Sequence, residues 1–268
     1  MNDESARLVR PDVGSVAVEA AQRIAASLSA AVAARGRADW ATTGGSSPIE
    51  IYRRLVEHPL CDTVPWDDVH VWWGDDRYVP RDHPLSNVKA FDDIVVNLAA
   101  AEEGTAGAGP AGVPIPVENL HPFRTGEAIG NGEGPGWAAA ALAREMTEQG
   151  LSIQDGWPVL DLMLLGVGSD GHILSVFPGS DAFDASEWAV AVPAPTHIEP
   201  HVPRVTMHPS TVTVAREVLV VVTGGGKTGV LSQIFGEIHD SRRWPAQLAR
   251  RPGATWLLDE AAAAQLPR

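Results

Sequence analysis

Asp161-Leu162-Met163-Leu164-Leu165-Gly166-Val167-Gly168-Ser169-Asp170-Gly171-His172 is the stretch that decides the fold. Asp161 to Leu165 reads as one strand, apolar after its first residue and without polar alternation, the pattern of a parallel strand covered on both faces. It then breaks into glycines and polar residues and arrives at an imidazole. The same order recurs to either side. Val218 to Val222 ends at Thr223-Gly224-Gly225-Gly226-Lys227 and leads into a helix through Phe235. Val69-His70-Val71-Trp72-Trp73 ends at Gly74-Asp75-Asp76-Arg77, ahead of a helix predicted from Ser86 to Leu98. Asp39 to Thr42 runs into Thr43-Gly44-Gly45-Ser46-Ser47-Pro48, ahead of a helical pattern from Ile49 to Glu57. Strands alternating with helices predict an α/β fold with a mostly parallel sheet flanked by helices. In such sheets ligands sit beyond the carboxyl ends of the strands, so these loops are expected to converge on one site.

The flanking sequence fits that frame. Val16 to Arg35 carries Val18, Ile24, Leu28 and Val32 near helical spacing on an alanine-rich background, which predicts an opening helix against the sheet. Trp137 to Gln149 reads as another helix. Between them Ala101 to Gly136 is rich in Gly, Ala and Pro, with only Val113 to Val117 resembling an extended piece. Neither flank looks complete alone, so this is expected to be a surface excursion of a single domain spanning residues 1–268 rather than a linker.

The 34 acidic against 20 basic residues give a formal charge of -14, a field that repels a polyphosphate backbone and argues against nucleic acid as a partner. A small anion is still admissible, because a few basic side chains make a local positive pocket. Cys61 is the one cysteine, which excludes an intramolecular disulfide and a cysteine-rich metal framework and fits a reducing cytoplasm. The N-terminal MNDESARLVRPD lacks the apolar core of a signal peptide, and no stretch is expected to reach the length and apolarity of a membrane span. Neither membrane association nor a metal is expected, and the oligomeric state is left at monomer or small homo-oligomer.

Several motifs carry chemistry. Gly44 and Gly45 allow close approach of backbone to a ligand, and Ser46 and Ser47 precede Pro48, a residue favoured at the first helical position, so free N–H groups there suit a phosphate. A tight turn with a serine cap is the plainer alternative. Gly226-Lys227-Thr228 invites a nucleotide-loop reading, but the glycine required five positions earlier is Val221. Lys227 remains a second candidate phosphate contact. Gly166, Gly168 and Gly171 match a dinucleotide fingerprint, yet Pro178 follows within two turns and no acidic strand end stands at the distance ribose binding requires. His197-Ile198-Glu199-Pro200-His201 superficially looks like a zinc helix, but its order is broken and Pro200 and Pro203 forbid the helix. His172 differs from the other histidines because it sits at the end of a buried strand beside Asp170, where a ligand can reach it; histidine is the natural general base at neutral pH. A helix or turn cap before Ile173 to Phe177 is its alternative.

Taken in order, Thr43 to Pro48, Trp73-Gly74-Asp75-Asp76-Arg77-Tyr78-Val79-Pro80, Ser86-Asn87, Gly168 to His172 with Phe177-Pro178-Gly179, Arg204-Val205-Thr206-Met207 and Gly226-Lys227 resemble the 6-phosphogluconolactonase family. The resemblance implies a Rossmann-like fold shared with glucosamine-6-phosphate deaminases and ribose-5-phosphate isomerases. It implies hydrolysis of a sugar-phosphate lactone, the small-molecule partner, without metal or organic cofactor. On that reading His172 is the base, Asp170 orients or polarises it or instead holds the loop, and Arg77 or loop N–H groups meet the developing oxyanion. Gly44, Gly45, Ser46, Arg204 and Lys227 hold the phosphate, Asp75 belongs to the substrate site, and Asn87 binds substrate hydroxyls or braces the Arg77 loop. Two rivals exist. Deaminases carry a glutamate where this chain has Phe177 and Asp-Glu-Tyr where it has Asp75-Asp76-Arg77; a noncatalytic sugar-phosphate sensor would normally add a DNA-binding segment. Departures from the family pattern are Asp76 for glutamate, Ile173-Leu174 for a Thr-Ala pair and Ser47 for threonine, which touch substrate detail rather than reaction class.

Overall fold

The computed structural model describes residues 4–96 and 112–266. In chain order the strands are β1 (Ala6–Arg10), β2 (Ala38–Thr42), β3 (Val69–Trp73), β4 (Asp75–Arg77), β5 (Leu120–His121) and β6 (Ile153–Gln154). They continue with β7 (Trp157–Pro158), β8 (Leu162–Leu165), β9 (Ala189–Val192), β10 (Arg204–Met207), β11 (Glu217–Val222) and β12 (Ala254–Asp259). Seven of these form one sheet in the order β1-β12-β11-β8-β2-β3-β5, with every neighbouring pair parallel. The helices are α1 (Val13–Arg35), α2 (Ser46–Leu55), α3 (Asn87–Phe91), α4 (Thr125–Gly130), α5 (Pro135–Glu148), α6 (Ser210–Val214), α7 (Thr228–Ile234) and α8 (Glu260–Ala263). The predicted α/β class, with its mostly parallel sheet, is the observed one.

All four residues of β8 are buried, which is why the sequence there is unbroken Leu and Met. On one face α1 lies against β2, β11 and β12. Its buried side is largely Ala17, Ala20, Ala21 and Ala25 around Ile24 and Leu28, so small residues let the helix approach while the two larger ones fill the gap. By length and composition alone α1 is also apolar enough to cross a membrane, contrary to the expectation that no stretch would be; here its apolar face is turned to the sheet. The helix predicted from Ser86 is present as α3 followed by a π-helical turn over Asp92–Val96, and its last two predicted residues lie outside the described residues.

Part of the predicted excursion, residues 101–111, lies outside the described residues. The remainder is not simply surface. Val113, Ile115 and Phe123 are buried, and Leu120–His121 forms the edge strand β5. The extended piece predicted at Val113 to Val117 is therefore displaced to β5. A polar network anchors that strand. His121 stacks on Trp72, donates or accepts at 2.9 Å with His70 Nδ1, and is joined through Nδ1 to Glu145 Oε1 of α5 at 2.7 Å. Burial raises the Glu145 carboxyl, but His121 and Arg124 outweigh it and hold it below its usual range. The carboxylate can then only accept, so His121 Nδ1 donates to it.

Burial, with Arg37 and His121 adding to it against Asp39 and Asp68, pushes the His70 imidazole down to about 4. The fold thus prefers neutral His70, whereas the unfolded chain protonates it near the ordinary value of about 6.5. The stability it contributes is complete above that value and is lost as pH falls towards about 4. Urea midpoints should therefore drop more steeply on acidification for the native chain than for His70→Gln, which keeps a neutral hydrogen-bonding group but takes up no proton; parallel curves would refute this assignment.

Candidate active site

The chain leaves β2 towards β3 on one side and leaves β8 towards β11 on the other, so the direction of winding reverses between β2 and β8. At such a reversal the two departing loops part and open a crevice beyond the strand ends. A cleft of about 180 Å³ lies there, lined by Thr43, Gly44, Gly45, Asp75, Arg77, Asn87, Gly166, Val167, Gly168, His172, Leu174 and Arg204. A larger hollow of about 680 Å³ opens beside β1 and α8, but its walls are mainly aliphatic with Arg7 and Glu260, and none of the four loops reaches it. The smaller cleft is where titratable groups converge, and the chemistry is assigned there.

His172 Nδ1 lies 2.6 Å from Asp170 Oδ1, and the His172 backbone N–H donates to the same oxygen at 3.1 Å. The other carboxylate oxygen is taken by His197 Nε2 at 2.8 Å. Burial raises the Asp170 carboxyl, but the hydrogen bonds and charges of His172 and His197 outweigh it and hold it below the usual carboxylate range. As a carboxylate it accepts only, so both histidines donate to it, and in neutral His172 the lone pair is left on Nε2. Gly168 makes this arrangement possible: a Cβ there would overlap both His172 Nδ1 and the Asp170 carboxylate. The Phe177 ring tilts against His172 with centroids 4.8 Å apart, so the imidazole has an apolar neighbour and no second carboxylate from that direction.

A separate three-stranded antiparallel sheet, β4-β10-β9, carries the positive charge. Its register sets Arg77 opposite Arg204. Arg204 is buried and donates to the carbonyls of Val202 and Pro200 at 3.2 and 2.9 Å, while Arg77 donates to the Leu85 carbonyl at 2.8 Å. Burial and the like charge of Arg77 push the Arg204 guanidinium down, against Asp75 and Asp76. Among the described residues neither guanidinium is hydrogen-bonded to a carboxylate, so an incoming anion meets two cations already stripped of much of their water.

The Arg77 loop is held from below by Asp76. It is fully buried and accepts from the backbone N–H of Arg77 and Asn87 at 2.7 Å each and from Ser86 Oγ at 3.0 Å. Burial pushes its carboxyl up to about 7 despite those bonds. Asp75 is braced too: Ser175 Oγ donates to it at 2.6 Å, and Asn87 Nδ2 donates to its carbonyl at 2.9 Å. Of the two roles open to Asn87, the bracing one is therefore visible. Its Oδ1 has no hydrogen-bond partner among the described residues and is pressed against Gly44, where a Cβ would overlap it.

Ser46 and Lys227 do not line the cleft. Helix α2 starts at Ser46, two residues before Pro48, because Gly45 with φ 102° serves as the N-cap in a conformation that favours glycine. Among the described residues no side chain caps the helix, so the serine cap that was the plainer alternative is absent and the first N–H groups have no side-chain acceptor. Lys227 is half-buried next to α7; burial pushes its ammonium down while Asp170 pulls it up, which sets it within electrostatic reach of the histidine pair. Ser175 is not singled out in the sequence, Asp76 is read there only as a departure from the family pattern, and His197 only within a rejected zinc motif. Elsewhere, ligand-type atoms of His58, Cys61 and Asp62 gather within 4.8 Å of one another, with His58 and Asp62 exposed and already hydrogen-bonded at 2.8 Å.

A parallel sheet with a winding reversal and a cation pair facing an imidazole defines an enzyme of the sugar-phosphate isomerase and lactonase class, and comparison with known proteins agrees. Residues 11–258 match the family described as glucosamine-6-phosphate isomerases/6-phosphogluconolactonase. The 6-phosphogluconolactonase of Nostoc sp. is 31% identical over 96% of this chain and 97% of its own length. The solved 6-phosphogluconolactonases from Trypanosoma cruzi and Trypanosoma brucei superpose with TM-scores of 0.84 and 0.81 at 25% identity, the first covering 100% of this chain and 99% of its own, the second 99% and 100%. The chain belongs to the glucosamine-6-phosphate isomerase/6-phosphogluconolactonase family.

The Gly168 contact is directly testable. A structure of Gly168→Ala should show the His172–Asp170 hydrogen bond opened beyond about 3.5 Å. Gly166→Ala, whose Cβ meets nothing, should leave it in place; an intact bond in the first variant would remove the role given to Gly168.

Proposed function

We propose that this chain hydrolyses 6-phosphoglucono-1,5-lactone to 6-phosphogluconate, with His172 as general base. The observation that carries the reading is that one cleft is lined by the imidazole of His172 and by the buried guanidinium of Arg204, groups 32 positions apart in the chain. His172 Nε2 takes a proton from water as the water oxygen bonds to the lactone carbonyl carbon. The carbonyl π electrons move onto its oxygen, and Arg77 or the N–H groups of the loops beside Gly44 and Gly168 meet that charge. The carbonyl then re-forms, the bond to the ring oxygen breaks, and the imidazolium returns its proton to that oxygen. Asp170 holds the ring in the tautomer that leaves Nε2 available.

The phosphate is assigned to Arg204, Lys227 and the open N–H groups of α2 beside Gly44, Gly45 and Ser46, with Asp75 and Asn87 shaping the wall between them. No step in this scheme calls on a metal or an organic cofactor. Phe177 beside His172 supports lactone hydrolysis over deamination, since a phenyl ring at the position of the deaminase glutamate cannot move a proton. The single cysteine fits a reducing cytoplasm, where we place the reaction.

Purified protein mixed with freshly prepared 6-phosphogluconolactone should consume it well above the spontaneous rate and release no ammonia from glucosamine 6-phosphate. Binding without acceleration would point instead to a sensor. His172→Ala should lower kcat by roughly 10²–10⁴-fold while retaining affinity for inorganic phosphate. Conversely, Arg204→Gln should weaken binding by roughly tenfold or more, the scale of one charged hydrogen bond, with a smaller effect on kcat. An active His172→Ala protein would remove the base from the scheme.

A further inference from the structure

Asp170 is gripped from both sides. Its Oδ1 receives His172 Nδ1–H at 2.6 Å and its Oδ2 receives His197 Nε2–H at 2.8 Å. His197 comes from the stretch after β9, 27 positions from its partner, and Asp170 is its hydrogen-bond partner among the described residues. Its ring also stands edge-on to Phe177 with centroids 5.6 Å apart, so one aromatic plate touches both histidines. The stretch that bears it is tied down at two further points: His201 Nδ1 donates to the Pro195 carbonyl at 2.7 Å, and Arg204 Nη2 donates to the Pro200 carbonyl at 2.9 Å. The arm therefore runs from the guanidinium assigned to phosphate to the carboxylate that orients the base.

We infer that His197 is a positioning residue for turnover, acting through Asp170 to fix the plane and the charge distribution of the carboxylate that orients His172. The inference rests on His172 being the base. A carboxylate held on one oxygen alone can rotate about its Cβ–Cγ bond and let the imidazole swing with it; a second donor on the far oxygen stops that rotation. The same donor draws negative charge to Oδ2, away from the oxygen facing His172. Removing it concentrates charge on Oδ1, and this favours the imidazolium over the neutral base.

The test separates hydrogen bonding from packing. The His197 side chain is 51% exposed, so its replacement does not open the core. His197→Phe keeps the aromatic edge against Phe177 and lacks the donor; His197→Gln places an amide N–H where Nε2 stood. Lactone hydrolysis is followed across pH for both variants, with His172→Ala as reference. The expected result for His197→Phe is a kcat lower by roughly tenfold, a KM little changed, and an acid limb of the profile moved to higher pH. His197→Gln should recover most of that loss. A His197→Phe protein with the native kcat and profile, or a His197→Gln protein as impaired as His197→Phe, overturns the inference. If His172→Ala itself turns over substrate, the base assignment falls and this inference with it; if His172→Ala is inactive and His197→Phe is not impaired, only this inference falls.

Discussion

Strand β8 is bonded to β2 along one edge and to β11 along the other, and the chain reaches those neighbours by winding in opposite directions. Everything in the site follows from that junction. Parallel strands place their carboxyl ends on one side of the sheet, so the segments after β2, β3, β8 and β11 are delivered to a common edge. Because both faces of β8 are covered, its position is fixed by apolar contacts on all sides, and His172 is mounted on a rigid support. The antiparallel sheet formed by β4 and β10 is attached at the same edge through Gly74, whose carbonyl accepts from Met207 at 2.8 Å. Two sheets of different kind thereby supply the two halves of one cleft: the imidazole of His172 from the loop after the parallel one, the guanidinium groups of Arg77 and Arg204 from the antiparallel one.

The electrostatics run against the protein as a whole. A chain with net charge -14 sets Arg77 and Arg204 on the wall of one cleft, with Lys227 outside that wall but close enough to feel the charge of Asp170. Aligning Arg77 with Arg204 across a strand pair is unfavourable by itself. It is tolerated because Asp75 and Asp76 lie beneath and because each guanidinium donates to backbone carbonyls. Asp76 gives up ordinary solvation in doing so, which is why its carboxyl is raised to about 7 even with three donors upon it.

Four strand and loop units were legible in the sequence because a strand buried on both faces reads as an apolar run, and because glycines and polar residues mark where it stops. The rest was hidden for physical reasons. β5 is two residues long and follows a Gly- and Pro-rich stretch, so no periodicity can announce it; its place is set by His121 stacking on Trp72. β1 and β12 close the far edge of the sheet and carry no motif. Of the site, the residues within strand-end loops could be found from local pattern. His197 could not, since Pro195 and Pro200 around it rule out regular structure and its partner is distant in the chain. The start of α2 was misplaced because Pro48 was weighed above Gly45, whose left-handed φ is not visible without coordinates.

The contact between Gly44 and Asn87 ties together two positions of the cleft wall. The amide of Asn87 occupies the volume that any side chain at position 44 would need, while its other end supports the Asp75 carbonyl. Position 44 therefore cannot take a side chain unless residue 87 gives way. A larger residue at the first is admissible only alongside a shorter one at the second, and that exchange would take the amide donor from the Asp75 carbonyl and reshape the cleft wall that both residues line.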